Sequence, residues 1–351
     1  MLFGKPPSVL GIDIGTTSIK VVELQKERKG IKLRNYGEFF SPDRELLPVK
    51  TSFISFFEEE IADFLKRILK EAKIETKNAH FSLPLFSSFF TIVKLPLMKP
   101  EEIPEAVKLQ AHQYIPVPVE EVVLDWSIIE EEEALLENKI EVLLVAVPKD
   151  VIKKYVRIAK LLGLSLKTLE VESFSETRAL VKDKRPTLII DIGGRTTNII
   201  IVDKGFIRLC HNLDFSGFAL TRALSKRLGI SFKRAAEFQK AKGLKKEVGG
   251  LVRPALLPVV DKMIFGVERA MNTYLAQYPK RKIERIILSG GTANMPGLCE
   301  YISSKFNIKT EIADPFKEIE FPPILKEVIK EIGPSFSVAV GLALAEFEKK
   351  K

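Results

Sequence analysis

The residues best equipped for chemistry lie in Asp191–Asn198, DIGGRTTN, where an acid, two glycines and two threonines fall close together. The apolar run Thr187–Ile190 precedes them and Ile199–Val202 follows. Two β-branched runs joined by a Gly-rich turn predict a β-hairpin. Gly193 and Gly194 lack a Cβ, so backbone N–H groups there can approach a phosphate closely. Thr196 and Thr197 add hydroxyl donors, and Asp191, at the strand end, is placed to hold Mg²⁺ directly or through water.

The same design occurs near the N-terminus. Val9–Ile14 leads through Asp13 into Gly15-Thr16-Thr17-Ser18 and then into a second apolar strand, Ile19–Leu24. The Asp-Ile-Gly at 13–15 and its echo at 191–193 suggest two similar half-domains facing one ligand. Lys20, on the outgoing strand, either reaches a phosphate or pairs on the sheet surface. A third corner follows Ile283–Leu288: Ser289–Gly297, SGGTANMPG, whose Gly290, Gly291 and Thr292 form either a cradle for a base or phosphate or an ordinary turn into a helix. His80, His112 and His211 have no metal-ligand spacing.

These motifs need a scaffold, and 351 residues with 46% hydrophobic content can build one large domain or two to three ordinary ones. No uninterrupted apolar segment reaches membrane-spanning length, and Met1–Pro7 lacks the apolar stretch of a signal peptide. Cys210 and Cys299, each in an apolar context, read as reduced, buried thiols, although two cysteines leave one bridge open; the expectation is a cytoplasmic protein. The net charge is +9, and Lys and Arg interleave with Glu along the chain, which reads as a solvated surface rather than a nucleic-acid site. Abundant Lys and Glu also fit a thermophile's composition.

In order, residues 8–40 read as a strand meander, and Ser41–Lys50 breaks it with Pro42 and Pro48. A helix is expected from Ser52, with an apolar stripe Ile54, Phe57, Ile61, Phe64, Leu65, Ile68 and an Asp63–Arg67 pair. Strands at His80–Leu83 and Ser88–Leu95 precede a helix opened by Pro100 and running to Tyr114. Strands Val122–Ile129 and Ile140–Val147 flank the acidic loop Glu130–Glu133, and Trp126 reads as core of this module. Asp150–Leu162 is an amphipathic helix stopped by Gly163, followed by strand Ser165–Val171 and a short helix from Glu172. Phe206–Leu209 is a strand, 217–250 is helical and strongly basic up to Gly249-Gly250, and Val260, Ile264, Val267, Met271, Tyr274 and Tyr278 stripe a long core helix. A final helix, Phe336–Phe347, is rich in small residues and suits a packed hinge.

Together the motifs resemble the actin-like ATPase superfamily. Gly11–Ser18 looks like its first phosphate motif, Asp191–Asn198 its second and Ser289–Gly297 its adenosine motif; Val171–Leu180 and Gly333–Leu344 look like its two connecting helices. The resemblance implies an α/β, ribonuclease H-like fold of two halves closing on Mg-ATP, each with a five-stranded sheet. It implies that Asp13 and Asp191 flank Mg²⁺ mostly through water. It also implies that Glu172 is the connecting-helix acid that orients water in some relatives, and that Glu237 and Lys240, in Ala236–Lys240, match an AE-x-x-K motif flanking the ribose and base.

An α+β insert at 50–148 is shared with FtsA and with the PilM family of type IV pilus assembly proteins. YIPVP at Tyr114–Pro118, EEVVLDW at Glu120–Trp126, Ala146–Lys149 and Gly163–Leu180 look like the PilM family. The implied division is a first core subdomain at 1–49, 149–185 and 325–351, the insert at 50–148, a second core at 186–216 and 270–324, and a small helical nucleotide-flanking subdomain at 217–269. FtsA-type chains carry an amphipathic membrane helix beyond the core, whereas this sequence stops at Lys351. PilM-type proteins instead sit at the inner membrane through a partner, taking the cytoplasmic N-terminal peptide of PilN in a groove between the first core subdomain and the insert. The expected function is an ATP-binding pilus scaffold with weak hydrolysis if any. An FtsA-like or filament-forming cytoskeletal protein and a small-molecule kinase are the alternatives, and homo-oligomerisation stays open.

Overall fold

The structure is a computed structural model that describes residues 7–40, 56–129, 138–246 and 250–348. The first half begins with β1 (Ser8–Ile14), β2 (Ser18–Lys26) and β3 (Ile31–Phe40), then α1 (Glu58–Glu71) and β4 (Asn78–Leu83). The insert follows as β5 (Phe89–Pro96), α2 (Ile103–Tyr114), β6 (Val122–Ile129) and β7 (Lys139–Pro148). The chain returns to the first half through α3 (Lys149–Leu161) and β8 (Ser165–Val171), and crosses to the second on α4 (Glu172–Leu180).

The second half holds β9 (Thr187–Ile192), β10 (Thr197–Asp203), β11 (Phe206–Leu213), α5 (Gly217–Leu228), α6 (Phe232–Lys242) and α7 (Val252–Gln277). It continues with β12 (Arg285–Ser289), α8 (Leu298–Phe306) and β13 (Thr310–Ile312). The two-residue β14 (Ile319–Glu320), α9 (Lys326–Ile332) and α10 (Ser337–Leu344) bring the chain back to the first half.

The two sheets repeat one topology. In the first, β3-β2-β1-β4-β8 stand in that order, and in the second β11-β10-β9-β12-β13. Each has an antiparallel meander followed by two parallel strands reached through helices. β1 and β9, central and almost wholly apolar, are buried on both faces, as a strand covered on both sides must be. The first sheet has six strands rather than the expected five, because β14 pairs in parallel with β3. Residues 319–320 therefore belong to the first half, against the sequence-based division that kept 270–324 in the second.

The insert is also shorter than expected. β4 pairs in parallel with both β1 and β8, and α1 packs its buried Ile61, Leu65 and Ile68 into the first-half core. Only β5, β7 and β6 form the separate three-stranded sheet. The apolar run of β4 carries no information about which strand it pairs with, so strand periodicity alone could not place this boundary. One face of the small sheet takes α2 through Ile103, Val107 and Ala111, and half-buried Trp126 joins this core. Its other face buries Leu143, Val145 and Val147 in the first half.

Smaller differences concern α1. It starts at Glu58, Phe57 is exposed, and Asp63 pairs with Lys66 rather than Arg67, at 3.0 Å. Ser52, Ile54, the Pro42–Pro48 junction, the loop Glu130–Glu133 and Gly249 lie outside the described residues. Both cysteines are free thiols, half-buried. The helical stretch Pro323–Phe347, though interrupted by Lys326, Glu327, Lys330 and Glu331, contains an 18-residue window apolar enough to cross a membrane, with mean hydropathy 1.4, and 61% of that window is buried inside the protein. It is apolar because α10 runs between β1, β2 and α4.

Candidate functional site

The two Asp-Ile-Gly turns fold alike. In each, the glycine N–H donates to the carbonyl three residues on: Gly15 to Ser18 and Gly193 to Thr196, both at 3.0 Å. They meet across the gap between the halves, where a methyl group on Gly194 would collide with the side chain of Thr17. The third corner closes on the second turn. Thr292 N–H donates to Ile192 O (3.3 Å), and Gly217 and Phe218, at the start of α5, donate to the carbonyls of Gly193 and Gly194. Gly290 holds φ +85°, and a Cβ there would strike the Asp191 carboxylate. Gly15, Thr16, Thr17, Gly193, Gly194, Thr196, Gly290, Gly291 and Thr292 thus sit on three loops converging on one cleft.

Thr197 and Ser289 belong to the framework instead. Thr197 is fully buried and its hydroxyl donates to Phe215 O (3.1 Å), while the Ser289 hydroxyl donates to Pro334 O (3.0 Å). Thr197 was expected to contact ligand, but it begins β10 with its side chain turned into the second half's core.

Beneath the loops lies a group of acids. Asp13 accepts from Ser82 Oγ (2.9 Å), and burial raises its pKa against the pull of Lys20. Asp191 keeps part of its surface open, yet the surrounding protein and then Asp13 push it to about 6. Glu172 Oε1 accepts from Leu85 N–H (2.9 Å) and from Asn198 Nδ2 (2.8 Å), one donor from each half; burial and then Asp13 push it to about 8. Glu176, one turn further along α4, is fully buried, and neither of its oxygens makes a hydrogen bond of ordinary geometry. Burial and then Asp191 hold it well above the usual carboxylate range.

Lys20 stands opposite Asp13 in the β1–β2 register and is itself buried. It donates to Ser18 Oγ (2.6 Å) and lies 3.6 Å from Glu38. It is the cation whose field opposes the rise of both Asp13 and Asp191. A buried cluster of acids with so little compensation is an arrangement that a cation relieves. No group of three or more metal-ligating side chains occurs among the described residues.

Glu237 and Lys240 are exposed on α6, and Lys240 Nζ pairs with Glu331 of α9 at 2.6 Å. Asn294 Nδ2 donates to the Glu331 carbonyl, and Leu244 N–H to Pro296 O, both at 2.6 Å, so α6, the third corner and α9 meet at one edge. A separate cavity of about 300 Å³, lined by Phe90, Ile92, Cys210, Arg269 and Thr273 among others, opens between β5, β11 and α7 and holds none of the loop residues.

Sequence reasoning missed Ser82, Asn198 and Glu176. Glu176 had a legible signal: it lies four residues after Glu172 on a short helix whose other buried positions are small. Asn198 closed the DIGGRTTN motif without being given a role, and Ser82 had no signal, being an ordinary strand residue until β4 pairs with β1.

Two duplicated sheets closing on an acid-floored, glycine-walled cleft are the fold of the actin-like ATPases. MreB5 of Spiroplasma citri, solved bound to ADP, shares it with a TM-score of 0.54 and 14% identity over 95% of this chain and 94% of that one. The model of the family described as type IV pilus assembly protein PilM matches residues 11–347, and the chain belongs to that family. A solved PilM–PilN type IV pilus biogenesis complex contains a chain that is similar with a TM-score of 0.81 and 24% identity, over 97% of this chain and 99% of that chain. The ethanolamine utilization protein EutJ of Escherichia coli (strain K12) is 28% identical over 118 residues, which span 34% of this chain and 38% of that protein's length.

Proposed function

We propose that this protein is a cytoplasmic, ATP-binding scaffold of a type IV pilus assembly platform, held at the inner membrane through PilN. The observation that carries nucleotide binding is the convergence of the two Asp-Ile-Gly turns and the Gly290–Thr292 corner over Asp13 and Asp191. The turns offer backbone N–H groups and the hydroxyls of Thr16, Thr17 and Thr196 to phosphates. Asp13 and Asp191 would hold Mg²⁺, mostly through water, and the metal would neutralise phosphate charge. Lys20 balances Asp13, and Glu237 and Lys240 flank the ribose and base.

Glu172 is poised to orient water, and a carboxyl at about 8 is largely protonated at neutral pH, which fits slow turnover better than rapid hydrolysis. The partner reading is supported by family membership and by the insert's continuous packing on the first half, where a groove would take the N-terminal peptide of PilN. Nucleotide state would bias closure of the halves and thereby the groove.

Calorimetric titration of the protein with Mg-ATP, and separately with the N-terminal peptide of PilN from the same genome, tests both parts. Asp191→Ala is expected to lose nucleotide binding with its far-ultraviolet spectrum unchanged and to keep peptide affinity in the absence of ATP. Unchanged ATP affinity in that variant removes the site, and no peptide binding with or without ATP removes the partner.

A further inference from the structure

The charge of this protein is concentrated in one place. Residues 217–253, which comprise α5, α6 and the start of α7, hold ten Lys and Arg against two Glu, a net of +8 in a chain whose total is +9. The remaining residues are close to neutral, so the even spread of charge expected from the sequence does not hold. Elsewhere the basic residues are balanced in number by acids, and some pair with them directly: Lys66 with Asp63, Arg157 with Glu59 and Arg185 with Asp183. In this lobe Lys240 pairs with Glu331. Arg222, Lys226 and Arg227 on α5 are exposed, and so are Lys233 and Arg234 on α6 and Lys245 and Lys246 beyond it. None of these seven has a salt-bridge partner among the described residues.

Arg222 and Lys226 are moreover like charges at i,i+4, a spacing that destabilises a helix. Such a density of unpaired charge is unfavourable until something anionic meets it. The lobe's aromatic rings are already occupied: Phe218 and Phe232 pack edge to face at 5.4 Å, and Phe238 lies under Arg234 and Lys242. Among the described residues of 217–253 no aromatic ring is fully exposed to stack a nucleobase, which disfavours single-stranded nucleic acid. Beside the charges, however, Leu251 is 70% exposed, next in sequence to α7 and two residues from Arg253. Clustered Lys and Arg with a projecting aliphatic side chain match an anionic bilayer surface.

We propose that the α5–α6 lobe is a membrane-facing surface that binds anionic phospholipid headgroups directly. It adds a second attachment to the one through a partner peptide, and two weak anchors acting together hold far better than either alone. It requires neither nucleotide nor peptide binding, so its failure and theirs are separable.

The test is co-sedimentation of the full chain with vesicles of phosphatidylcholine alone or of phosphatidylcholine mixed with phosphatidylglycerol, which gives an anionic surface. Binding is expected to the anionic vesicles only and to weaken as salt rises. Each Lys or Arg near such a surface contributes roughly fivefold in affinity. Lys226→Gln, Arg227→Gln and Lys233→Gln combined should therefore weaken binding by about a hundredfold, and the three Glu replacements by more. The Gln variant guards against a folding loss from placing acids at the end of α5. ATP affinity of both variants is expected to equal that of the parent. Absence of binding to anionic vesicles, equal binding by parent and Gln variant, or retention on duplex DNA without vesicle binding each overturns the proposal.

Discussion

Glu172 shows how a single side chain ties protonation to the state of the cleft. In an unfolded chain it titrates near 4.5, and in the folded protein burial and Asp13 carry it to about 8. The native state therefore holds this proton longer than the unfolded one. The resulting stability is complete below about pH 4.5 and is lost as pH rises through 8. Glutamine keeps an oxygen that accepts from Leu85 and Asn198 and cannot ionise. Glu172→Gln should thus melt with the parent at pH 5 and above it at pH 9, by a margin on the order of a few kcal/mol. Thermal melts without nucleotide at these two values check this; a variant less stable than its parent at pH 9 would mean that Glu172 is paired with a cation in the folded state. Asp191, pushed to about 6, and Glu176 add slopes of the same sign, so some pH dependence remains in the variant.

At the scale of elements, two glycines set how closely α10 lies against β1 and α4. A Cβ at Gly11 would collide with the Ala339 carbonyl of α10, and one at Gly341 with the Ser175 carbonyl of α4. Helices α4 and α10 thus cross backbone to backbone, which is why α10 is built of small residues. Gly341→Ala should cost about 3 kcal/mol or force the helices apart, because the obstacle is main chain rather than a flexible side chain. Gly30→Ala, whose new methyl would meet nothing nearer than Glu320 Oε1 at 3.8 Å, is the matched control and should be neutral. Urea unfolding midpoints compare the two, and a Gly341→Ala protein as stable as the control would show that the crossing can open freely.

The small-residue stripe of α10, the two Asp-Ile-Gly hairpins and the Gly290 corner were all legible in the sequence, because each is a local pattern with a local cause. What was not legible is which distant segments meet. The β4 and β14 pairings, the Ser82–Asp13 bond and the Asn198–Glu172 bond join residues 69 and 26 positions apart in the last two cases. No periodicity encodes such a contact. The basic character of 217–250 was legible as a run of residues, but that its helices stand side by side, with Thr221 Oγ1 and Gln239 Oε1 2.6 Å apart between α5 and α6, was not.

On the scale of the whole molecule, the insert is fastened to both halves, and its link to the second combines the packing of Phe90 with a buried ion pair. Glu141, on the central insert strand β7, accepts from Arg208 Nη1 of β11 at 2.8 Å, with both side chains almost completely buried. Tyr278, at the end of α7, donates its hydroxyl to the same carboxylate oxygen (3.0 Å), and its ring lies beneath the Arg208 guanidinium at 5.2 Å. Lys94 of β5 stands 3.4 Å from the other oxygen. A buried pair of this kind adds little net stability over an apolar contact, since desolvation offsets the attraction. It does fix how the insert docks, because any other seating strands a charge. Glu141→Gln should cost about 3–5 kcal/mol, because it removes the carboxylate charge that the buried Arg208 Nη1 donates to. Replacing both partners, Glu141→Met with Arg208→Met, should recover most of that loss, with the Tyr278 hydroxyl left unpaired as the residue of the cost. Denaturant unfolding of the two singles and the double measures the coupling. If each single costs under about 1 kcal/mol, the contact is incidental and the insert moves with the first half alone; strong coupling means that closure of the second half over a nucleotide must carry the insert with it.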